Sequence, residues 1–201
     1  MALAKALRVV AEEAAGCTAC DLHAHATQTV FGQGPSRAPL FLIGEQPGDH
    51  EDVEGKPFVG PAGRVLDEAL EAASIRRGDV YLTNAVKHFK FEPRGKKRIH
   101  VRPNATEIVA CHQWLTRELE LVAPDVIVVM GAVAGASLFG PSFRVGAARG
   151  NVLQYGDRPV IASIHPSAVL RARDEHARKA AMDGLIADLR SAARLQKTHA
   201  A

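Results

Sequence analysis

DVIVVMG, Asp125 to Gly131, sets five consecutive apolar residues between an acid and a glycine. A run this short, rich in β-branched side chains and without polar alternation, fits a strand covered on both faces. Three more runs share its character: LFLIG at Leu40 to Gly44, DVYLTN at Asp79 to Asn84 and PVIAS at Pro159 to Ser163. Between them, Pro61 to Ser74, Pro103 to Val122, Ala132 to Phe139 and Arg173 to Leu195 repeat apolar residues at helical spacing. Two of these stretches open on proline, which suits a first helical turn. The alternation predicts an α/β fold with a largely parallel sheet. Ligands of such sheets gather at the carboxyl ends of the strands, where this chain has Glu45, Gln46, Asn84, Gly131 and His165.

The chain has 201 residues and 47% hydrophobic content, which predicts one domain spanning 1–201, with 196–201 as a flexible tail. A formal charge of +3 permits a polyanionic partner without demanding one. Three cysteines do not suit a secreted disulfide framework, and no signal-peptide core is evident, so a cytoplasmic setting is expected. No apolar run approaches the roughly 20 residues that cross a bilayer. No internal repeat or low-complexity segment interrupts the chain, and a monomer is expected.

CTAC, Cys17 to Cys20, is a CxxC pair, which alone fits redox chemistry, zinc or chance. Cys111 is the remaining cysteine, and His88 follows the DVYLTN strand. Together the four would close a site suited to structural zinc or to an iron-sulfur cluster with one histidine ligand. The plainer alternative makes Cys111 a small buried hydrophobe and His88 a surface residue. GKKRIHVRP, Gly95 to Pro103, reads as a loop in which Lys96, Lys97 and Arg98 precede His100. Those cations suit phosphate contact or a solvated charged surface equally.

GEQPGDHEDVEGKPFVGPAG, Gly44 to Gly63, leaves the first strand for a helix but matches neither phosphate-loop pattern, and its acids would repel a triphosphate. It does resemble the first motif of the uracil-DNA glycosylase superfamily in its iron-sulfur family 4 form, GExPGxxEDxxGxPFVGxAG. HPSAVLR, His165 to Arg171, resembles that superfamily's HPSxxxR segment, and TNAVKHFKF resembles its asparagine motif. The likeness runs over nearly the whole chain. It implies a three-layer α/β/α fold around a mostly parallel four-stranded sheet. It also implies a 4Fe-4S cluster on Cys17, Cys20, His88 and Cys111, with His88 standing where family 4 carries cysteine; zinc is the alternative. The basic loop ending in KRIH is similar to that of the UdgX branch, whose members bond covalently to uracil-containing DNA through that histidine, here His100.

The same resemblance implies roles for single residues. Uracil in single- or double-stranded DNA must be swung out to expose its glycosidic bond. Lys96, Lys97, Arg98, Arg171 and Ser167 are expected on the DNA backbone. Phe58 would stack on the base and Asn84 would read O4 and N3, with Asp49 beside the substrate; taken singly, Phe58 suits a core and Asn84 a turn. His165 would donate to O2 as free uracil leaves, and Gln46 would lie near the sugar. His100 would attack C1′, with Glu45 fixing its tautomer, to give a single-turnover adduct. The alternatives are a conventional multiple-turnover family 4 glycosylase and a non-catalytic uracil-DNA-binding module.

Overall fold

The computed structural model describes residues 2–199. In chain order its strands are β1 (Leu40–Gly44), β2 (Val80–Asn84), β3 (Phe91–Arg94), β4 (Lys97–His100), β5 (Val126–Met130), β6 (Val152–Tyr155) and β7 (Arg158–Ser163). Its helices are α1 (Ala2–Ala15), α2 (Asp49–Glu54), α3 (Pro61–Ala72), α4 (Ala105–Val122), α5 (Ala132–Phe139), α6 (Val145–Ala148), α7 (Ser167–Leu170) and α8 (Glu175–His199).

The four apolar runs become β1, β2, β5 and β7, paired in parallel, and the main sheet has the order β2-β1-β5-β7-β6. Successive residues of each strand point to opposite faces, so both faces demand cover. Leu40, Leu42, Val126 and Val128 pack with Val65, Leu66, Leu185 and Leu189, beneath α3 and α8. Phe41, Ile43, Ile127 and Val129 pack with Leu115, Leu119, Val133 and Ala134, beneath α4 and α5. That is the expected three-layer arrangement.

Several details differ from the expectation. The sheet has five strands rather than four, because β6 adds antiparallel to β7 through a tight turn at Gly156, whose φ is 62°. Its VLQY sequence, with Val152 and Gln154 exposed and Leu153 and Tyr155 half-buried, is too short and too open to carry a buried-strand signal. The segment from Gly95 is not a loop throughout: β3 and β4 form an antiparallel hairpin that pairs Phe91 with His100 and Arg94 with Lys97. Gly95, at φ 59°, supplies the left-handed residue the tight turn needs. Pro93 is tolerated because a two-stranded ribbon has free edges. α1 was not anticipated; it buries Leu7, Val10 and Ala14 on one stripe and packs on α4. The last helix runs to His199, into the stretch expected as a tail, and residues 200 and 201 lie outside the described residues. No described helix is long and apolar enough to cross a membrane.

Candidate active site

The carboxyl ends of β1, β2 and β7 deliver the polar residues to one edge of the sheet. Gly44 pairs with Asn84 across β1 and β2. A Cβ on Gly44 would run into Asn84 Oδ1 and the Phe58 ring, so the bare backbone there lets both side chains close over the strand end. Asn84 is only 3% exposed. Its carboxamide nevertheless makes no hydrogen bond among the described residues. Phe58 holds a left-handed backbone at φ 56°, unusual for a bulky residue, and the Arg77 guanidinium donates to its carbonyl at 2.9 Å. The Phe58 ring lies 6.2 Å from the His165 ring, 30° from parallel.

His165 follows β7, and Gly131, in a left-handed conformation at the end of β5, gives its Cβ room. Ser167 turns back on the ring: its backbone N–H donates to Nδ1 at 3.2 Å, and its hydroxyl lies 2.7 Å from the same atom. Burial among protein atoms, reinforced by Arg171 and His100, pushes the imidazole pKa down to about 4, although part of the residue still reaches the surface. At neutral pH the ring is therefore uncharged. With Nδ1 accepting, its proton sits on Nε2, which makes it a neutral donor. Ser167, expected on the DNA backbone, spends both polar groups orienting His165.

His100 ends β4, half exposed, with Nε2 3.6 Å from Glu45 Oε1. Glu45 lies within the mouth of the site. Burial raises its carboxyl pKa, and His100, Arg102 and Arg171 oppose that rise. The carboxylate thus flanks Nε2, so no bond from Glu45 to Nδ1 fixes the tautomer in the way the sequence suggested.

Two ties bring the hairpin to this place. Gln46 donates to the carbonyls of Lys90 and Val101 at 3.1 and 3.0 Å and accepts from the Lys90 N–H at 3.0 Å, pinning both ends of the ribbon. Both amide groups of its side chain are engaged there. Arg98 bonds Asp49 and fully buried Asp52, each at 2.5 Å, and its guanidinium stacks over Phe89 and Phe91. Asp52 also accepts from the Thr27 N–H and hydroxyl. Arg98 thus latches the hairpin to α2, and Asp49 faces Arg98. Lys96, Lys97 and Arg171 are exposed, and their side chains make no hydrogen bond or ion pair among the described residues.

The cysteines cluster on the α1–α4 side. The Lys87 N–H donates to Cys111 Sγ at 3.4 Å, Cys20 packs against the Cys111 cluster, and Trp114 Nε1 donates to Cys17 Sγ at 3.1 Å. Burial pushes the Cys111 thiol pKa up to about 11. His88 is buried; its Nε2 lies 2.8 Å from the Thr29 hydroxyl, while Nδ1 has no hydrogen-bond partner among the described residues. An orphaned buried ring nitrogen is costly unless something binds it. Among the described residues, however, no three His, Cys, Asp or Glu side chains gather as a ready metal-holding group. A hollow of about 520 Å³ between α1 and α4, lined by Lys5, Val9, Arg117 and Glu120, shares no residue with either constellation.

Sequence reasoning missed Thr27, Arg102 and the pair Lys87–Glu118. Lys87 lies inside the asparagine motif, and that position is the one signal the sequence holds; its burial shows only in the structure.

Residues 31–190 match the uracil DNA glycosylase superfamily profile. A type-4 uracil-DNA glycosylase of Thermotoga maritima is 37% identical over 182 residues, covering 89% of this chain and 91% of that protein. One from Archaeoglobus fulgidus is 37% identical over 169 residues, covering 80% and 81%. A type-5 enzyme of Pyrobaculum aerophilum is 30% identical over 151 residues, covering 67% and 63%.

Proposed function

The chain belongs to the uracil DNA glycosylase superfamily, and from that premise we propose that it excises uracil from DNA and then becomes joined to the abasic sugar through His100. A base flipped to the strand ends would stack on Phe58. The unpartnered Asn84 carboxamide would pair with O4 and N3 of uracil; cytosine reverses that donor and acceptor pattern and would leave buried groups unsatisfied. As the C1′–N1 bond breaks, its electron pair leaves with the base. The His165 Nε2–H is suited to meet the charge on O2, a contact worth about 3 kcal/mol in comparable sites. Exposed Lys96, Lys97 and Arg171 are suited to phosphate, so affinity should fall with salt.

The sugar is then an oxocarbenium-like cation. His100 at the mouth of the pocket carries this reading: its Nε2 lone pair would form the bond to C1′, leaving an N-alkyl imidazolium that keeps its Nδ1 proton. Glu45, beside Nε2, would offset positive charge first on the sugar and then on the ring. With no base set to reverse the bond, turnover stops at one. Mixing the protein with a uracil-bearing oligonucleotide and running a denaturing gel tests this. A stable shifted band is expected, whereas many abasic products per protein would favour a conventional type-4 enzyme, and no uracil release would leave only a binding module.

The proposed cofactor is a 4Fe-4S cluster on Cys17, Cys20, His88 and Cys111. The orphaned Nδ1 of His88 supports this set, with Thr29 orienting the ring from behind. Such a cluster would tie α1, the asparagine motif and α4 together. A brown protein with visible absorbance is expected; a colourless zinc protein would refute it.

A further inference from the structure

Beneath Asn84 lies a charge pair the reaction does not use. Lys87 and Glu118 side chains are 1% and 0% exposed, with Nζ 2.5 Å from Oε2. All three ammonium donors are engaged: the others go to Thr83 Oγ1 at 2.7 Å and to the Asn84 carbonyl at 2.8 Å. Glu118 in turn accepts from Gly32 N–H, Tyr81 hydroxyl and Thr83 hydroxyl. The same face of α4 carries Cys111, whose sulfur takes the Lys87 N–H.

A buried ion pair is weak evidence for stability, since apolar residues of similar volume often serve as well. Its geometry points elsewhere. Asn84 ends β2, and its carboxamide finds no partner among the described residues; packing from Gly44 and Phe58 limits its swing, and the ladder to β1 holds its backbone on one side, where the Ala85 N–H donates to the Gly44 carbonyl at 3.0 Å. The Lys87 ammonium adds a second hold from the α4 side, reaching back three residues to the Asn84 carbonyl and anchoring it through Glu118. We propose that Lys87, held by Glu118, is a positioning residue that sets the orientation of the Asn84 carboxamide and with it the preference for uracil over cytosine. This rests on the reading of Asn84 as the base-contacting residue.

The test measures Kd for oligonucleotides carrying 2′-fluoro-2′-deoxyuridine or 2′-fluoro-2′-deoxycytidine at one position; the fluorine disfavours the sugar cation and keeps both probes intact. Lys87→Met should lower the uracil-to-cytosine affinity ratio about tenfold, with affinity for an abasic-analogue oligonucleotide unchanged. Because that variant leaves Glu118 buried without its cation and can fail to fold, Lys87→Met/Glu118→Leu is measured beside it. The double variant should recover the parental thermal midpoint and keep the lowered ratio. Recovery of both would show the pair to be structural only and overturn the proposal, as would an unchanged ratio in Lys87→Met or failure of both variants to fold. If the parent protein itself showed no preference between the probes, the reading of Asn84 would fall first.

Discussion

Replacing Arg98 with methionine separates the two halves of the proposed chemistry. Methionine keeps an apolar stem over Phe89 and Phe91 and removes the guanidinium. What is lost is unequal. The bond to Asp49 joins groups that are 24% and 53% exposed and counts for less than about 1 kcal/mol. The bond to Asp52 ends on a carboxylate that is 0% exposed. That anion keeps its bonds from Thr27 but loses its one ion-pair partner among the described residues, a change that costs about 2 to 3 kcal/mol. If this energy holds the hairpin against the pocket, the population with His100 in reach falls about 30- to 150-fold, at about 1.4 kcal/mol per decade. Quench-flow or manual sampling on denaturing gels would read the adduct rate, and release of free uracil would be followed in parallel. The adduct rate should fall by that factor while uracil release changes less than about threefold, because Phe58, Asn84 and His165 stand on other elements. An adduct rate equal to the parent's would refute the latch, and an equal fall in both rates would mean that Arg98 shapes the pocket and not the hairpin alone.

His100→Ser should admit water to C1′ and convert one turnover into many, seen as abasic product exceeding protein; continued trapping of DNA would rule out His100 as the acceptor. Gly44→Ala should cost about 1 to 3 kcal/mol of overpacking against Asn84 and Phe58 and slow excision about tenfold or more, with binding to unmodified DNA retained in a gel-shift assay. His165, with a pKa near 4 in place of 6.5, stays neutral where an unfolded chain already takes up a proton. Folding stability should therefore drop as pH falls from 6.5 to 4, by up to about 3 kcal/mol, and His165→Gln should flatten that part of a denaturant-derived profile. His88→Ala should bleach the visible absorbance of the purified protein, and His88→Cys should keep it.

Legibility in the sequence followed burial. β1, β2, β5 and β7 are covered on both faces, so their apolar runs are continuous and their ends could be located within a residue or two. The hairpin has no such signature: Pro93, Arg94, Lys97 and Arg98 form strands through backbone pairing alone, and their side chains say little about it. α1 did carry a signal, in the helical spacing of Leu7, Val10 and Ala14, which was not taken up. Residues of the proposed pocket could be found because each sits within a motif, Asn84 and His165 at strand ends and Phe58 in the loop between α2 and α3. What those residues bond to could not: Gln46, Ser167 and Arg98 all carry donors that suit DNA, and only their positions reveal that the hairpin, His165 and α2 already claim them.

This division of labour bears on why excision and attachment would be separable at all. A two-stranded hairpin is marginal by itself, so the position of His100 depends on the few side chains that bind the ribbon to the sheet and to α2. Asn84 and His165, by contrast, are set by a sheet whose both faces are packed, and Phe58 by the loop into α3 and by Arg77, so their geometry should tolerate loss of the hairpin's ties. Weakening Gln46 or Arg98 should then let water compete for the sugar cation before it touches the pocket's hold on the base. A ring displaced by even a few ångströms is outside bonding range of C1′, while water needs no positioning to arrive. The ratio of adduct to free abasic product is therefore the more sensitive gauge of hairpin position, and it should shift toward free product in Gln46→Ala at unchanged total uracil release.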